Sequence, residues 1–471
     1  MAEVLSLVQR DDFTVDIDSI SLLAYTNGFE GAYRGWKMQS IPEASGRVIE
    51  TIKLRAKGTS IDNLAANLQG MADKAWQTER YAPIDRYGVW LRAKLDGETN
   101  ARQAFVFAMR HEQASSIFDQ AMASRFRINE YTLAVERSPY WEGTASTDFA
   151  SGTTLSALGG TLQYGTISGD APARMALVQI DHSQATCGTL GVNYNGRWWV
   201  GFRSNRYGDP ANFRPYWDCA LGISPLGGTV LALSDSRGGS VMALGTAVLP
   251  INTVPPVSLV RMYMDTQTSN YYDQSGRYLA LLRCNPNTAG TFVLQLRYGL
   301  NPGRYFANPR VYLVKDADRT SRVVPMGEVD IGGQAPYSVN GTAIMWDKFY
   351  MEIYGERKGG TAELYLDTLF LVPLEGFVYF GEPATSNPSP YNQVVYQAMQ
   401  RANGMIEYAG RSATGGTSMY TVGNAQMIGG IHPGPGVAVV VGEAGALPSV
   451  TRTCKLSVRA MPRWKELRGA D

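Results

Sequence analysis

Histidine and cysteine are both scarce, with three histidines and four cysteines among 471 residues. His111, His182 and His432 each stand alone in a different region, which weighs against a catalytic triad or a metallohydrolase centre, although residues distant in sequence can meet in space. Cys187, Cys219, Cys284 and Cys454 are far apart and show no CxxC spacing, so neither a zinc site nor a redox dithiol is supported. They read as buried free thiols of a protein made in a reducing cytoplasm. An excess of charge is missing too. The 43 basic and 42 acidic residues leave +1, which gives no field to draw in nucleic acid or an anionic membrane. No apolar run approaches the ~18 residues of a membrane span, so membrane insertion is not expected. The opening MAEVLSLVQRDDF has no basic segment and meets Asp11 and Asp12 early, so a signal peptide is not expected either.

What is present is a chain rich in apolar and turn residues. With 44% hydrophobic residues, 50 glycines and 23 prolines, it is long enough for about three domains that each bury a core. In residues 1–142 period-two apolar stretches surround one helix. TSIDNLAANLQGMADKAWQ sets Ile61, Leu64, Ala65, Leu68, Met71, Ala75 and Trp76 at helical spacing, with Thr59 or Ser60 as N-cap. The flanking strands GRVIETIKLRAK, YGVWLRAKL, ARQAFVFAMR and RINEYTLAVER supply a surface for it to pack on. Residues 143–166 are dominated by Gly, Ser and Thr and read as an extended connector. Residues 167–381 are almost wholly strand-like with no amphipathic helix, the pattern of a β-sandwich and specifically a jelly roll.

The ending TLAVERSPYWEG returns about 320 residues later as KLSVRAMPRW. Leu133 and Leu456, Val135 and Val458, Pro139 and Pro462, and Trp141 and Trp464 occupy the same offsets. Leu-x-Val is a half-buried strand, and Pro-x-Trp marks where it leaves the sheet. GVAVVVGE and VTRTCKLSVRAMPRW read as a hairpin, and a hairpin alone is marginally stable. The shared ending points to the N-terminal domain as its host, with Trp141 and Trp464 as structural anchors. The expected fold is therefore mainly β. A sandwich domain with one packed helix (1–142, helix 59–77) is followed by a linker (143–166) and a jelly-roll or galactose-binding-like sandwich (167–381). A C-terminal β segment (382–471) then completes or packs on the first domain.

Two features carry functional candidates. NYNGRWWVGFRSNRYGDPANFRPYWDC contains Tyr194, Trp198, Trp199, Tyr207, Tyr216 and Trp217 interleaved with arginines. Aromatic faces beside polar groups stack on sugars, and Trp, Tyr and Arg also anchor protein interfaces; the competing reading is ordinary core. Trp198 and Trp199 are neighbours in a strand and so cannot both point into one core. AELYLDTLFLVPL places Asp367 among apolar residues and resembles the final strand of galactose-binding-like jelly rolls. Asp367 is a candidate for a structural Ca²⁺, although the six to eight oxygen ligands such an ion takes are not evident. No other cofactor is expected. No GxSxG, HExxH, P-loop or dinucleotide fingerprint occurs, and RGGSVMALG and ATGGTSMYTVGN lack the lysine of a phosphate cradle. An enzyme is thus not expected, a glycan-active hydrolase being the alternative.

SIFDQAMASRFRINEYTLAVERSPYWEG, the connector, ISGDAPARMALVQI and SVRAMPRWKELRG together resemble minor tail and tail-tip proteins of long-tailed bacteriophages, specifically the distal-tail family. That resemblance implies an N-terminal β-domain forming a ring at the tail end and a peripheral sandwich similar to carbohydrate-binding modules. The return of the C-terminus to the first domain departs from the common family pattern. The implied role is structural, in a virion tail or baseplate assembled in the bacterial cytoplasm. Other tail proteins and further copies of the chain would be its partners. The alternative is a module that binds a cell-surface glycan or receptor.

Overall fold

The computed structural model describes residues 2–11, 16–22, 35–37, 46–57, 61–81, 87–113, 128–156, 158–181, 197–233, 236–252, 256–265, 273–286, 290–300, 306–314, 322–332, 337–339, 342–344, 348–359, 361–381, 394–412, 419–420, 425–443 and 453–467. The fold is mainly β, in antiparallel sheets, as the alternating apolar pattern requires.

The chain opens with β1 (Ala2–Asp11), β2 (Asp16–Ser21), β3 (Gly35–Lys37), β4 (Val48–Lys57), α1 (Ile61–Tyr81), β5 (Tyr87–Leu95), β6 (Arg102–Gln113), β7 (Ile128–Arg137) and β8 (Trp141–Gly143). Antiparallel pairing gives the order β2-β1-β5-β6-β7-β4-β3. The helix lies on β4, β5 and β6, where Leu68, Met71 and Ala75 share a core with Leu91, Val106 and Leu133. The helix stops at Tyr81, two residues before Pro83, later than the Gln77 expected from spacing. Trp76 is not on the buried face; it is 50% exposed, because it sits about 100° around the helix from Ala75. The proposed N-caps Thr59 and Ser60 fall outside the described residues.

Residues 143–166, read above as a connector, are largely strand. β9 (Thr147–Ser156) and β10 (Gly160–Ile167) run into β11 (Ala171–Asp181) and β12 (Trp198–Ser204). Small polar side chains suit β9 because alternate positions face solvent, while Ala150 and Leu155 are buried.

Next come β13 (Tyr216–Asp218), β14 (Thr229–Ala232), β15 (Ser240–Leu244), β16 (Val257–Asp265), β17 (Gly276–Pro286), β18 (Thr291–Gly299), β19 (Phe306–Ala307), β20 (Val311–Val314), β21 (Arg322–Ile331), β22 (Tyr337–Val339), β23 (Thr342–Ile344), β24 (Lys348–Arg357) and β25 (Leu364–Pro373). Two sheets carry the orders β15-β25-β17-β21 and β16-β24-β18-β20. Numbered along the chain from β15 to β25, these eight strands read 1-8-3-6 and 2-7-4-5, the wiring of a jelly roll. The chain then returns through β26 (Gly376–Phe380), β27 (Val394–Gln400), β28 (Ile406–Ser412), β29 (Met419–Tyr420), β30 (Gln426–Gly429), β31 (Gly434–Gly442) and β32 (Thr453–Trp464).

The returning strands complete a second sandwich. One of its sheets is β10-β31-β12-β26-β30. The facing one holds β32 between β9 and β11, continued by β27 and β28. The jelly roll is therefore inserted into this second sandwich, between β12 and β26, and not into the N-terminal module. β31 and β32 form no hairpin; they lie in opposite sheets, where Ala438 and Val440 meet Leu456 and Val458 across one core. Leu133 and Val135 belong to a different core.

What the two endings share is the joint between modules. Trp141 and Trp464 are directly paired and both enter the N-terminal core. Arg137 lies 4.5 Å over the Trp141 ring and Arg102 lies 4.3 Å over that of Trp464. Glu142, 3% exposed, accepts from Arg174 at 2.9 Å and from Arg463 at 2.8 Å. Burial pushes the Glu142 carboxyl upward, but the two guanidinium groups outweigh it and hold its pKa below the usual value.

A depressed folded pKa contributes stability above the unfolded carboxyl value of 4.5, and that stability is lost as pH falls through the folded value. Glu142→Gln should thus cost about 3–5 kcal/mol at pH 7 by leaving buried cations uncompensated. In urea melts the gap to wild type should shrink below pH ~4.5; an equal gap at both pH values would show that the carboxylate charge is not what closes the joint.

Candidate functional site

The aromatic segment does not form one surface. Trp198, Val200 and Phe202 on β12 enter the second sandwich's core, whereas Trp199 enters the core shared with the jelly roll. The same division runs through β31, with Ala438 and Val440 on one side and Val437, Val439 and Val441 on the other. Both tryptophans are buried because their sheet is covered on both faces. Gly201 permits the close approach, since a Cβ there would meet the Pro373 carbonyl of β25. Trp217 is also buried in the jelly-roll core, and Tyr216 is 36% exposed with the Arg237 guanidinium 3.1 Å from its ring centre. Tyr194 lies outside the described residues. Of the proposed sugar-stacking residues, Trp198, Trp199 and Trp217 are thus interior.

Tyr207 lines a cleft of about 470 Å³ where the jelly roll meets the second sandwich. Glu375 in its wall accepts from the Ser204 backbone N–H at 3.0 Å and hydroxyl at 2.8 Å, with His432 Nε2 at 3.7 Å. Arg203, 1% exposed, donates through Nη2 to the carbonyls of Tyr207, Asp273 and Ser275. These bonds fasten the two sandwiches together.

Asp367 is 5% exposed and sits 3.9 Å from Arg283. It also accepts from the Thr368 hydroxyl at 3.0 Å and the Arg237 backbone N–H at 3.3 Å. Burial raises its carboxyl pKa, with Arg283 opposing. The Asp367 carboxylate thus has a guanidinium, a hydroxyl and a backbone N–H about it, and no group of three or more His, Cys, Asp or Glu suited to a metal occurs among the described residues. Cys219, Cys284 and Cys454 are buried free thiols. No helix among the described residues is long and apolar enough to cross a membrane.

Among the described residues, a group of exposed aromatic side chains lies elsewhere, on the outward face of β16-β24-β18-β20. The inward set is fixed by the core: Met262, Met351, Ile353, Leu296 and Leu313 are buried. Their strand neighbours must then point out. Register places Tyr263 beside Tyr350, and Arg261, Glu352 and Arg297 in one row across three strands. The Tyr263 and Tyr350 ring centres are 6.2 Å apart. Tyr263 is 49% and Tyr312 68% exposed. Lys348 Nζ lies 4.4 Å from the Tyr263 ring, and the Arg297 guanidinium 3.9 Å from that of Tyr354. Burial raises the Tyr354 hydroxyl pKa, as does its hydrogen bond to Glu352. Such a face can stack planar or C–H surfaces and offer charged donors beside them. The tyrosines are separated by up to about 90 residues in sequence, so no local cluster marks them; only the alternation of each strand could have pointed to them.

No family model and no curated protein matches the chain. Among solved structures, xanthan lyase from Paenibacillus aligns with a TM-score of 0.25 and 9% identity, over 79% of this chain and 48% of that one. This chain spans about half the length of that structure, and a likeness of this size carries no argument about fold or activity.

If the layered packing is right, Trp198→Ala and Trp199→Ala should each lower unfolding free energy by about 3–5 kcal/mol. Tyr263→Ala should change it by no more than about 0.5 kcal/mol. Urea denaturation of the full chain followed by circular dichroism distinguishes them.

Proposed function

We propose that the protein is a structural component of a bacteriophage tail or tail tip, assembling with copies of itself and with neighbouring tail proteins. The observation that carries this reading is an uncharged, exposed edge of the jelly roll. Residues 219–234 contain no charged side chain. Within them Leu221 is 85%, Ile223 56% and Val230 55% exposed. β14 pairs only with β15 among the described strands, and all four of its residues are exposed. A free-standing protein normally guards such an edge with charge, proline or a bulge, because its open backbone groups recruit other strands. An assembly component leaves it open for a neighbour. The exposed Trp76 on α1 offers a second anchor of the kind that dominates interfaces. The resemblance of the segments around β7, β11 and β32 to distal-tail proteins supports the same role. In it the N-terminal module would supply the ring contact, and a cyclic contact must close on itself.

Sedimentation velocity across a concentration series should reveal discrete oligomers. Val230→Lys, which charges the edge, and Trp76→Glu should shift them towards monomer while leaving the melting curve intact. A wild-type chain that stays monomeric at every concentration and joins no particle would contradict this role.

A further inference from the structure

We propose that the outward face of the β16-β24-β18-β20 sheet binds a carboxylated polysaccharide chain. The inference is independent of the tail role. It starts from the charges on the face. The Glu352 carboxylate is buried and ion-paired with Arg261, and Glu356, also buried, is matched by Lys358 at 2.6 Å. Arg297 and Lys348 are different. Among the described residues neither has a carboxylate within ion-pair distance; each instead rests on a tyrosine ring, Arg297 on Tyr354 and Lys348 on Tyr263. Arg297 is further held by its Nε–H donating to Gln295 Oε1 at 3.1 Å, and Gln295 is itself fixed by donating to the Asn308 carbonyl at 2.8 Å. The guanidinium is thus oriented before any ligand arrives, while its terminal N–H groups have no acceptor among the described residues. A planar, pre-set guanidinium with free donors matches a carboxylate in two-point geometry.

The aromatic groups decide what kind of carboxylate. A small anion would need only the cations. Here Tyr263 and Tyr312 expose ring surface on opposite sides of the Arg261–Glu352–Arg297 row, Tyr263 on the first strand and Tyr312 on the last. Three strand intervals of about 4.8 Å, combined with an offset of six register positions at about 3.3 Å each, put the two tyrosines roughly 24 Å apart, too far for one small acid and suited to an extended chain. Sugar rings present C–H faces to tyrosine and hydroxyls to the part-exposed Arg261, and acid groups on the chain meet Arg297 and Lys348. A neutral glycan would leave the two excess cations unanswered.

Affinity electrophoresis of the full-length protein tests this in native gels containing polygalacturonate, alginate or hyaluronan, with neutral dextran as reference. The protein should be retarded by at least one carboxylated polymer and not by dextran. Arg297→Gln and Tyr263→Ala should each weaken binding about tenfold, equivalent to ~1.4 kcal/mol. Added salt should weaken it too, through screening of the exposed charges. Arg277→Gln, an exposed cation on another part of the jelly roll, should bind like wild type. No retardation by any of the three polymers overturns the proposal. So does equal retardation by dextran, or an Arg277→Gln loss as large as that of Arg297→Gln, which would signify general attraction between charges. A monomeric protein that still binds would sink the assembly role and leave this one standing.

Discussion

A β-sheet buried on both faces sets the terms for the rest of this molecule. The β10-β31-β12-β26-β30 sheet packs one face against the sheet containing β32 and the other against the jelly roll's β25 layer. Its central strands must therefore be apolar at every position, and WWVGF and VAVVV are. Once that sheet is fixed, the order of layers follows: the N-terminal module joins one side through Trp141 and Trp464, and the jelly roll is stacked on the other. The outermost jelly-roll sheet then has a face with no layer over it among the described residues, and this is where tyrosines stand exposed.

The junctions between modules are closed mainly by arginine. Arg174 and Arg463 converge on Glu142, and Arg203 gathers three backbone carbonyls at the cleft; within the N-terminal module Arg137 is likewise paired with buried Glu50 at 2.5 Å. Buried ion pairs add little net stability compared with apolar packing of equal volume, but they punish misassembly heavily, since any slip leaves a charge without its partner. That is a suitable device for holding β modules in one register, because a sheet that slips by one residue exposes its entire core face.

Much of this architecture was legible in residue order. Period-two patterning marked the strands, helical spacing marked α1, and the repeated Pro-x-Trp located two anchors that turn out to touch. Three things were not legible. Residues 147–156 looked like a linker because a strand with a solvent-facing side can be built from Gly, Ser and Thr once neighbours supply its hydrogen bonds. The end of β32 does join the N-terminal core through Trp464, but the core that takes Leu456 and Val458 was not legible, because a Leu-x-Val pattern specifies a buried face and says nothing about which core it faces. That Trp198, Trp199 and Trp217 are interior was hidden for a related reason. Local aromatic density in residues 194–217 reflects a strand buried twice over, while the exposed tyrosines are brought together only by strand pairing over long sequence distances.

The central claim is that the conspicuous tryptophans are interior, with the outermost sheet as the proposed binding surface. Hydroxyl-radical footprinting read by mass spectrometry measures this directly, because modification rate follows side-chain exposure. Trp198 and Trp199 should remain unmodified in the folded protein while Tyr263 and Tyr312 are readily oxidised, and a bound carboxylated polymer should protect the two tyrosines. Oxidation of Trp198 or Trp199 at a rate comparable with Tyr312 would contradict the layered packing and the placement of the site.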